Sequence, residues 1–385
     1  MRFLHTADWH VGKTIRGRSR VDEFEAALAE VVEIARAENV DAILVSGDIY
    51  DQRAVTADAD RLVFDALLNL HAASIPVIAI PGNHDSSARL EVFGRLLERI
   101  GTTIVPRVLR PEAGGVVEVP SKDGNAAANV ACVPFVPERR FGDAADLFAD
   151  PATLTAGYDD KMGVVLATMA TAFDPARVNV VMGHLFVDGA RVGGGEREIT
   201  IGRNYAVSPA HIPANTSYVA LGHIHRPQQM KGCPSPTYYA GSLLQLDFGE
   251  RDQEKLVYIV DAVPKKPARV EAIPLSSGRK LIDVPAATLD ELEAKAHSYG
   301  DAYLRVAVKT EGPVPGLADR VREILPNALE VHLSYVRGDE MPDIVSLRTL
   351  QPREQFLAYF ESTHAVAPGD DLMDAFDNVY EEATT

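Results

Sequence analysis

Five short polar motifs stand where apolar runs end: Asp8-Trp9-His10, Gly47-Asp48, Gly82-Asn83-His84-Asp85, Gly183-His184 and Gly222-His223-Ile224-His225. Aspartate offers a hard oxygen and histidine a borderline nitrogen, a mixture that suits Mn²⁺, Fe²⁺ or Zn²⁺ better than Ca²⁺. Asp8 and His10 are two residues apart, as are His223 and His225, so in extended chain each pair projects from one face. The candidate ligands are Asp8, His10, Asp48, Asn83, His184, His223 and His225. One ion rarely needs so many, whereas two can share them with room for water. Asp48 is the candidate bridge, and two ions roughly 3.5–4 Å apart are the arrangement used for phosphoryl displacement.

His84 adjoins Asn83, so the two are not expected in one coordination shell. A histidine beside a metal pair suits proton transfer, and His84 is assigned as general acid to the leaving-group oxygen. Asp85 is expected to cap the following helix or to orient the imidazole. Asp-x-His, Gly-Asp or Gly-His alone can be turn chemistry, and Gly-Asn-His-Asp after an apolar strand is more specific; the ordered recurrence of all five at strand ends carries the reading. The histidines at 5, 71, 211, 297, 332 and 364 stand outside the pattern and read as structural. Gly12-Lys13-Thr14 imitates the end of a P-loop, but Ala7 occupies the place of its first glycine.

Those motifs need a scaffold that gathers strand ends, and open α/β sheets collect sites at the carboxyl ends of their strands. The runs at 2–4, 42–45 and 77–80 alternate with helical periodicity at 22–38, near 57–72 and from Leu90 to Leu97, with Ser86 or Ser87 as the cap of the third helix. This is βαβ alternation and implies a parallel sheet with helical cover. Further strands at 178–181, 218–221, 237–240 and 256–260 make a strand-rich second half beside the βαβ first half, which suggests two packed sheets with helices outside, so the fold class is a two-sheet α/β sandwich. Residues 1–275 form this domain. A small α+β cap spans 276–340, and a C-terminal helical tail spans 341–385.

The chain has 385 residues, 46% hydrophobic and 24% charged, with a net charge of −17 that argues against indiscriminate nucleic-acid binding. The distribution is uneven. Lys13, Arg16, Arg18 and Arg20 follow the first motif with no acid among them, and Arg191, Arg197 and Arg203 sit in the loop after His184. Both groups adjoin predicted ligands, which makes phosphate-backbone contact as reasonable as solvated loop charge. The tail from 351 onward carries one basic and eight acidic residues. Its amphipathic stretches, with Phe356, Phe360, Leu372 and Phe376, pack on their own domain or dock a partner. Two distant cysteines, no signal peptide and no run of eighteen apolar residues fit a reducing cytoplasm and no membrane.

The five motifs in this order resemble the calcineurin-like metallophosphoesterase superfamily. Leu4-His5-Thr6-Ala7-Asp8-Trp9-His10, Gly47-Asp48-Ile49-Tyr50-Asp51, Ala220-Leu221-Gly222-His223-Ile224-His225-Arg226 and Tyr239-Ala240-Gly241-Ser242 narrow the match. They are similar to the family of nuclease subunits of bacterial SbcCD complexes. The resemblance implies a DNA nuclease, a 3′→5′ exonuclease and an endonuclease acting on double-stranded ends and hairpins in repair and recombination. Mn²⁺ is the implied metal, with Mg²⁺, Fe²⁺ and Zn²⁺ as alternatives. It further implies a coiled-coil ATPase partner of SbcC type, a homodimer within a heterotetramer, and a nucleoid-associated location. One ion would take Asp8, His10, Asp48 and His225, and the other Asp48, Asn83, His184 and His223. Archaeal relatives carry a second histidine where this chain has Asp51, so a transition-state role there is not carried over directly; Asp51 and Asp85 are candidates for supporting the site from behind the ligands. A small-molecule phosphodiesterase or phosphoprotein phosphatase on the same scaffold is the alternative, and a scaffold without chemistry is disfavoured because every ligand and His84 are present.

Overall fold

The computed structural model describes residues 1–138, 141, 157–196, 205–310, 312, 314–334, 352–364 and 368–384. The chain begins β1 (Arg2–Thr6), α1 (Val21–Ala37), β2 (Ala42–Val45), α2 (Ala57–Ala72), β3 (Val77–Ala79), α3 (Ser87–Leu97) and β4 (Thr102–Ile104). It continues through β5 (Val116–Pro120), β6 (Ala127–Val133), α4 (Tyr158–Ala170), β7 (Val178–His184) and the short pair β8 (Phe186–Val187) and β9 (Ala206–Val207). Then come β10 (Tyr218–Gly222), β11 (Gln228–Met230), β12 (Thr237–Tyr239), β13 (Leu256–Asp261) and β14 (Arg269–Pro274).

Two six-stranded sheets result, ordered β14-β13-β1-β2-β3-β4 and β11-β12-β10-β7-β6-β5. In the first, β1 to β4 run parallel, as helical crossovers require, while β13 and β14 close the edge antiparallel. Residues alternate between two buried faces. Leu4, Ile43, Val45 and Val77 pack with the apolar sides of α1 and α2, while Phe3, Ala42, Leu44 and Ile78 meet Val130, Val180 and Tyr218 of the second sheet. Cover on both faces explains why these strands read as unbroken apolar runs. α4 covers the outer face of the second sheet. Thr56 caps α2 and Ser86 caps α3. The α/β sandwich expected from the sequence is the fold.

The cap region runs β15 (Leu281–Ala287), α5 (Leu289–Lys295), β16 (Tyr303–Lys309), α6 (Leu317–Ile324) and β17 (Ala328–Ser334). Its three strands form one sheet over a core of Val284, Leu292, Leu304, Val306 and Val321. Contacts divide the chain into two compact units, residues 1–308 with 316–332, and residues 309–315 with 333–385. Most of the cap thus belongs with the sandwich. It is seated through Ile15, Phe248, Leu281 and Tyr303, a small apolar cluster of their own.

In the second unit the helices Pro352–His364 and Asp370–Thr384 pack on each other. Phe356 stacks on Phe376 with centroids 4.4 Å apart, and Arg353 pairs with Asp377 at 2.9 Å. Short helices gain stability from such pairing that neither has alone. Among the described residues, no helix is long and apolar enough to cross a membrane.

Candidate metal centre

β1, β2 and β3 deliver the first three motifs from one sheet, and β7 and β10 deliver the other two from the second. The strand ends do not simply run on. Asp8 and His10 (φ 48° each), Asp48 (φ 50°) and His223 (φ 101°) all have positive φ, half of the eight such non-glycine residues described. Each costs about 1–3 kcal/mol and persists only where the surroundings impose it. The expectation that Asp8 and His10, or His223 and His225, share a face of extended chain is therefore corrected: both pairs pass through left-handed turns. Backbone bonds hold those turns, Asp8 N–H to the Gly47 carbonyl at 3.0 Å and His10 N–H to that of Asp48 at 2.9 Å. Gly47 and Gly82 make room, since a Cβ would lie 2.3 Å from His184 Nδ1 and 2.2 Å from Asp48 Oδ1 respectively.

The seven candidate ligands meet in two groups. His10 Nε2 and His225 Nε2 lie 3.0 Å apart. Asn83 Oδ1 lies 2.9 Å from His223 Nδ1 and 3.1 Å from His184 Nε2. Asp48 Oδ2 stands between the groups, 3.6 Å from His10 Nε2 and 3.4 Å from His184 Nε2. Asp8 lies behind them, with both oxygens within reach of the His223 N–H, at 2.9 and 3.1 Å. Every one of these side chains is buried.

Neighbours orient the rings. His184 Nδ1 donates to the Ser46 carbonyl at 2.8 Å and His225 Nδ1 meets Glu250 at 2.9 Å, which turns both Nε2 atoms toward Asp48 and His10. Such outer partners fix the tautomer and strengthen a ligand. Glu250 is itself buried and is held by Lys255 at 2.7 Å and the Leu246 N–H at 3.1 Å. Glu196 accepts the His225 N–H at 2.9 Å. Sequence reading missed Glu250, Glu196 and Lys255. The one available signal was the Gly241-Ser242 segment, whose Ser242 hydroxyl also reaches Glu250.

Electrostatics follow from this crowding. Burial works to keep His184 neutral, but the Asp48 and Asp8 carboxylates outweigh it and raise its pKa. Burial likewise opposes ionisation of Asp48, yet His184, His10 and His84 hold it well below the usual carboxylate range. His10 is pushed down to about 4 by burial and so stays neutral with a lone pair to give.

His84 lies against the first group, its ring perpendicular to that of His10 with centroids 4.6 Å apart. Its Nδ1 donates to the Asp51 carbonyl at 2.7 Å, and its N–H holds Asp48 Oδ1 at 2.8 Å. The Asp51 carboxylate takes Lys13 at 3.1 Å and lies 3.4 Å from His10 Nδ1. Although burial opposes it, the contacts with His10 and Lys13 keep that carboxyl ionised below its ordinary value. Asp85 neither caps α3 nor touches the imidazole. Its oxygens accept the N–H groups of Gly82, Ile49 and Tyr50, tying two ligand-bearing loops together.

The basic group after the first motif is used differently from expectation. Arg20 is buried and spends its guanidinium on Glu23 and the Gln245 carbonyl, which removes it as a DNA contact. Arg16 and Arg18 remain exposed but reach the cap, Arg16 to Glu330 and Arg18 to Asn327 and the Pro326 carbonyl. Arg191 is exposed, while Arg197 and Arg203 lie outside the described residues. Of the tail residues, Phe356 and Phe376 are turned toward each other and Leu372 is exposed; Phe360 tilts against Phe356 at 6.1 Å.

Divalent ions fit these donors. Two imidazole nitrogens facing each other at 3.0 Å cannot both carry protons, and His225 Nδ1 is already committed to Glu250, which leaves the facing nitrogens as lone-pair donors. The calcineurin-like phosphoesterase model matches residues 1–227, and the type 5 capsule protein repressor C-terminal domain model matches residues 277–364. The SbcD subunit of the SbcCD nuclease from Bacillus subtilis is 30% identical over 387 residues, covering 98% of this chain and 97% of that relative. The protein of the same name from Rhodobacter capsulatus is 31% identical and covers 85% of each. A dimetal phosphatase structure from Danio rerio aligns at a TM-score of 0.40 and 14% identity, over 72% of this chain and 99% of that one. With a match running nearly the whole length of such relatives, this chain belongs to the calcineurin-like phosphoesterase family, among the SbcD subunits of SbcCD nucleases.

Proposed function

We propose that the protein cuts DNA with two divalent ions, most closely Mn²⁺, as a 3′→5′ exonuclease and as an endonuclease on ends and hairpins. The observation that carries this is the place of Asp48 Oδ2 between His10 Nε2 and His184 Nε2, at 3.6 and 3.4 Å. Asp8, His10, Asp48 and His225 would hold one ion; Asp48, Asn83, His184 and His223 would hold the other. When bound, the ions supply positive charge to the phosphoryl oxygens and make water a stronger acid.

The chain's own residues do the remaining work. His84 protonates the leaving oxygen. With Nδ1 committed to the Asp51 carbonyl, the exchanged proton moves on Nε2. Asp85 keeps the Asp48 and Asn83 loops in register, and Glu250 keeps His225 in the ligating tautomer. Phe135, stacked on His223 with centroids 6.0 Å apart, screens that ligand from water.

The domain plan supports the wider reading. Residues 1–275 are the nuclease domain, 276–340 the DNA-contacting cap and 341–385 the partner-docking tail. The relatives are named as one component of an SbcCD nuclease, and a coiled-coil ATPase of SbcC type is the matching partner. Phe360, Leu372 and the exposed edges of the Phe356–Phe376 hairpin are its docking surface. A homodimer inside a heterotetramer, acting at the nucleoid in the cytoplasm, completes the proposal. Lys13, Arg16 and Arg18 are the backbone-phosphate contacts.

The test is cleavage of blunt and hairpin DNA with Mn²⁺ by wild type and His84→Ser. Loss of cleavage with metal binding retained supports the assignment. Undiminished cleavage removes His84 as the acid, and hydrolysis of a small phosphodiester without DNA cleavage replaces the nuclease reading.

A further inference from the structure

A cleft of about 320 Å³ opens beside the metal ligands, lined by Asn83, Arg53, Arg107, Phe135 and the first turn of α3. That volume is within the range of small-ligand pockets, about 300–1,000 Å³. We propose that it seats the nucleotide next to the scissile phosphate and grips that nucleotide's own phosphate through Arg53 and Arg107; this rests on the nuclease reading above.

The position argues first. Asn83 belongs both to the cleft wall and to the ligand set, so whatever occupies the cleft is joined to whatever occupies the metal centre. Arg53 lies on the loop that carries Asp48 and Asp51, so one loop places both the candidate bridging carboxylate and the cleft's cation. Phe135 is fixed between His223 and Tyr205, at 6.0 and 5.8 Å, and forms a rigid partition rather than a free stacking platform.

The charge argues next. In a chain of net charge −17 this cleft presents two guanidinium groups, Arg53 and Arg107, beside two carboxylates, Asp85 and Glu91. Arg53 is exposed and is the cation of the two left unpaired among the described residues. Arg107 is exposed and is steered by Glu91, which meets it with both oxygens at 3.1 Å. Asp85 borders the cleft, but its oxygens are spent on three backbone N–H groups and do not face an incoming anion. The N–H groups of Ser87 and Ala88, in the first turn of α3, have no acceptor within the helix and favour the same charge. A guanidinium grip on phosphate positions a strand without reading its sequence.

The experiment compares Arg53→Ala, Arg53→Lys and Arg53→Glu on a hairpin oligonucleotide and on bis(p-nitrophenyl) phosphate, which has no neighbouring nucleotide. Arg53→Ala is expected to lower kcat/KM on the oligonucleotide about 5- to 10-fold, through KM, and to reduce the salt slope of binding by about one. The loss should be larger with Arg53→Glu, smaller with Arg53→Lys, and no more than about twofold on the small ester with Arg53→Ala. Equal losses on both substrates, or none on the oligonucleotide while wild type cuts it, overturn the cleft assignment alone. A wild type that hydrolyses the ester and leaves DNA intact overturns the nuclease reading itself.

Discussion

His10 and His225 stand 215 positions apart in the chain and bring their Nε2 atoms to 3.0 Å, with both rings buried. Glu250 engages the far side of His225, so the approach is enforced from behind. Without a cation the contact holds at most one proton between two lone pairs.

That relationship predicts a stability gain on metal binding. At 100 times its Kd, a single bound ion adds about 2.7 kcal/mol to the unfolding free energy. Mn²⁺ should therefore raise the Tm of wild type, and a chelator should reverse the rise. His10→Ala should lose much of it. A full rise in that variant would remove His10 from the ligand set.

Glu250→Gln keeps the shape of the side chain and removes the charge that faces both His225 and Lys255. Loss of such an outer partner costs about 10- to 100-fold in metal affinity. Calorimetric titration with Mn²⁺ should show one site weakened, and cleavage should recover in part at high Mn²⁺. Unchanged affinity would mean that Glu250 serves Lys255 alone.

Gly82→Ala tests the close approach of the two ligand loops. A Cβ at this position would fall 2.2 Å from Asp48 Oδ1 and 2.6 Å from the Asp48 amide nitrogen. Overpacking of this kind costs about 1–3 kcal/mol. The variant should show a lowered Tm and weakened metal binding together. A variant with wild-type affinity would show that the Asp48 turn yields without consequence.

Glu23 joins Arg20 to the cap by accepting the Arg279 N–H at 2.8 Å. Burial opposes its ionisation, but Arg20 and that N–H hold its pKa below the ordinary 4.5. A depressed carboxylate contributes stability in full above its unfolded pKa and loses it as pH falls through the folded value. Acid should therefore loosen this joint below about pH 4.5, and Glu23→Gln should cost about 2–3 kcal/mol at neutral pH. Urea unfolding at pH 7 and pH 4 checks this: the difference between wild type and variant should shrink at the lower pH.

Much of the scaffold was legible because its signals are local. Apolar runs of strand length alternating with helical spacing marked β1 to β3, and α1 to α3, to within a residue or two. Arg20 and Asp85 misled because charge and neighbours in sequence do not report burial. Arg20 reads like its neighbours Arg16 and Arg18, yet it alone is swallowed by the joint with Glu23 and Gln245. Asp85 precedes a helix, yet Ser86 takes the cap and frees it to bind loop N–H groups.

By itself the sequence determined which residue types reach the carboxyl ends of five strands, because strand and helix periodicity are properties of neighbouring residues. It determined the sandwich through the same periodicity. Only the tertiary structure decided which ligands face each other and that Asp48 stands between both groups. It also decided that Glu250, Lys255 and Glu196 stand behind His225. Those contacts join β1, β2 and β3 of one sheet to β7 and β10 of the other, and no local pattern encodes the distance between two sheets. That distance is set by the packed layer of Phe3, Leu44, Val180 and Tyr218, whose side chains hold the strand ends close enough for His10 to meet His225.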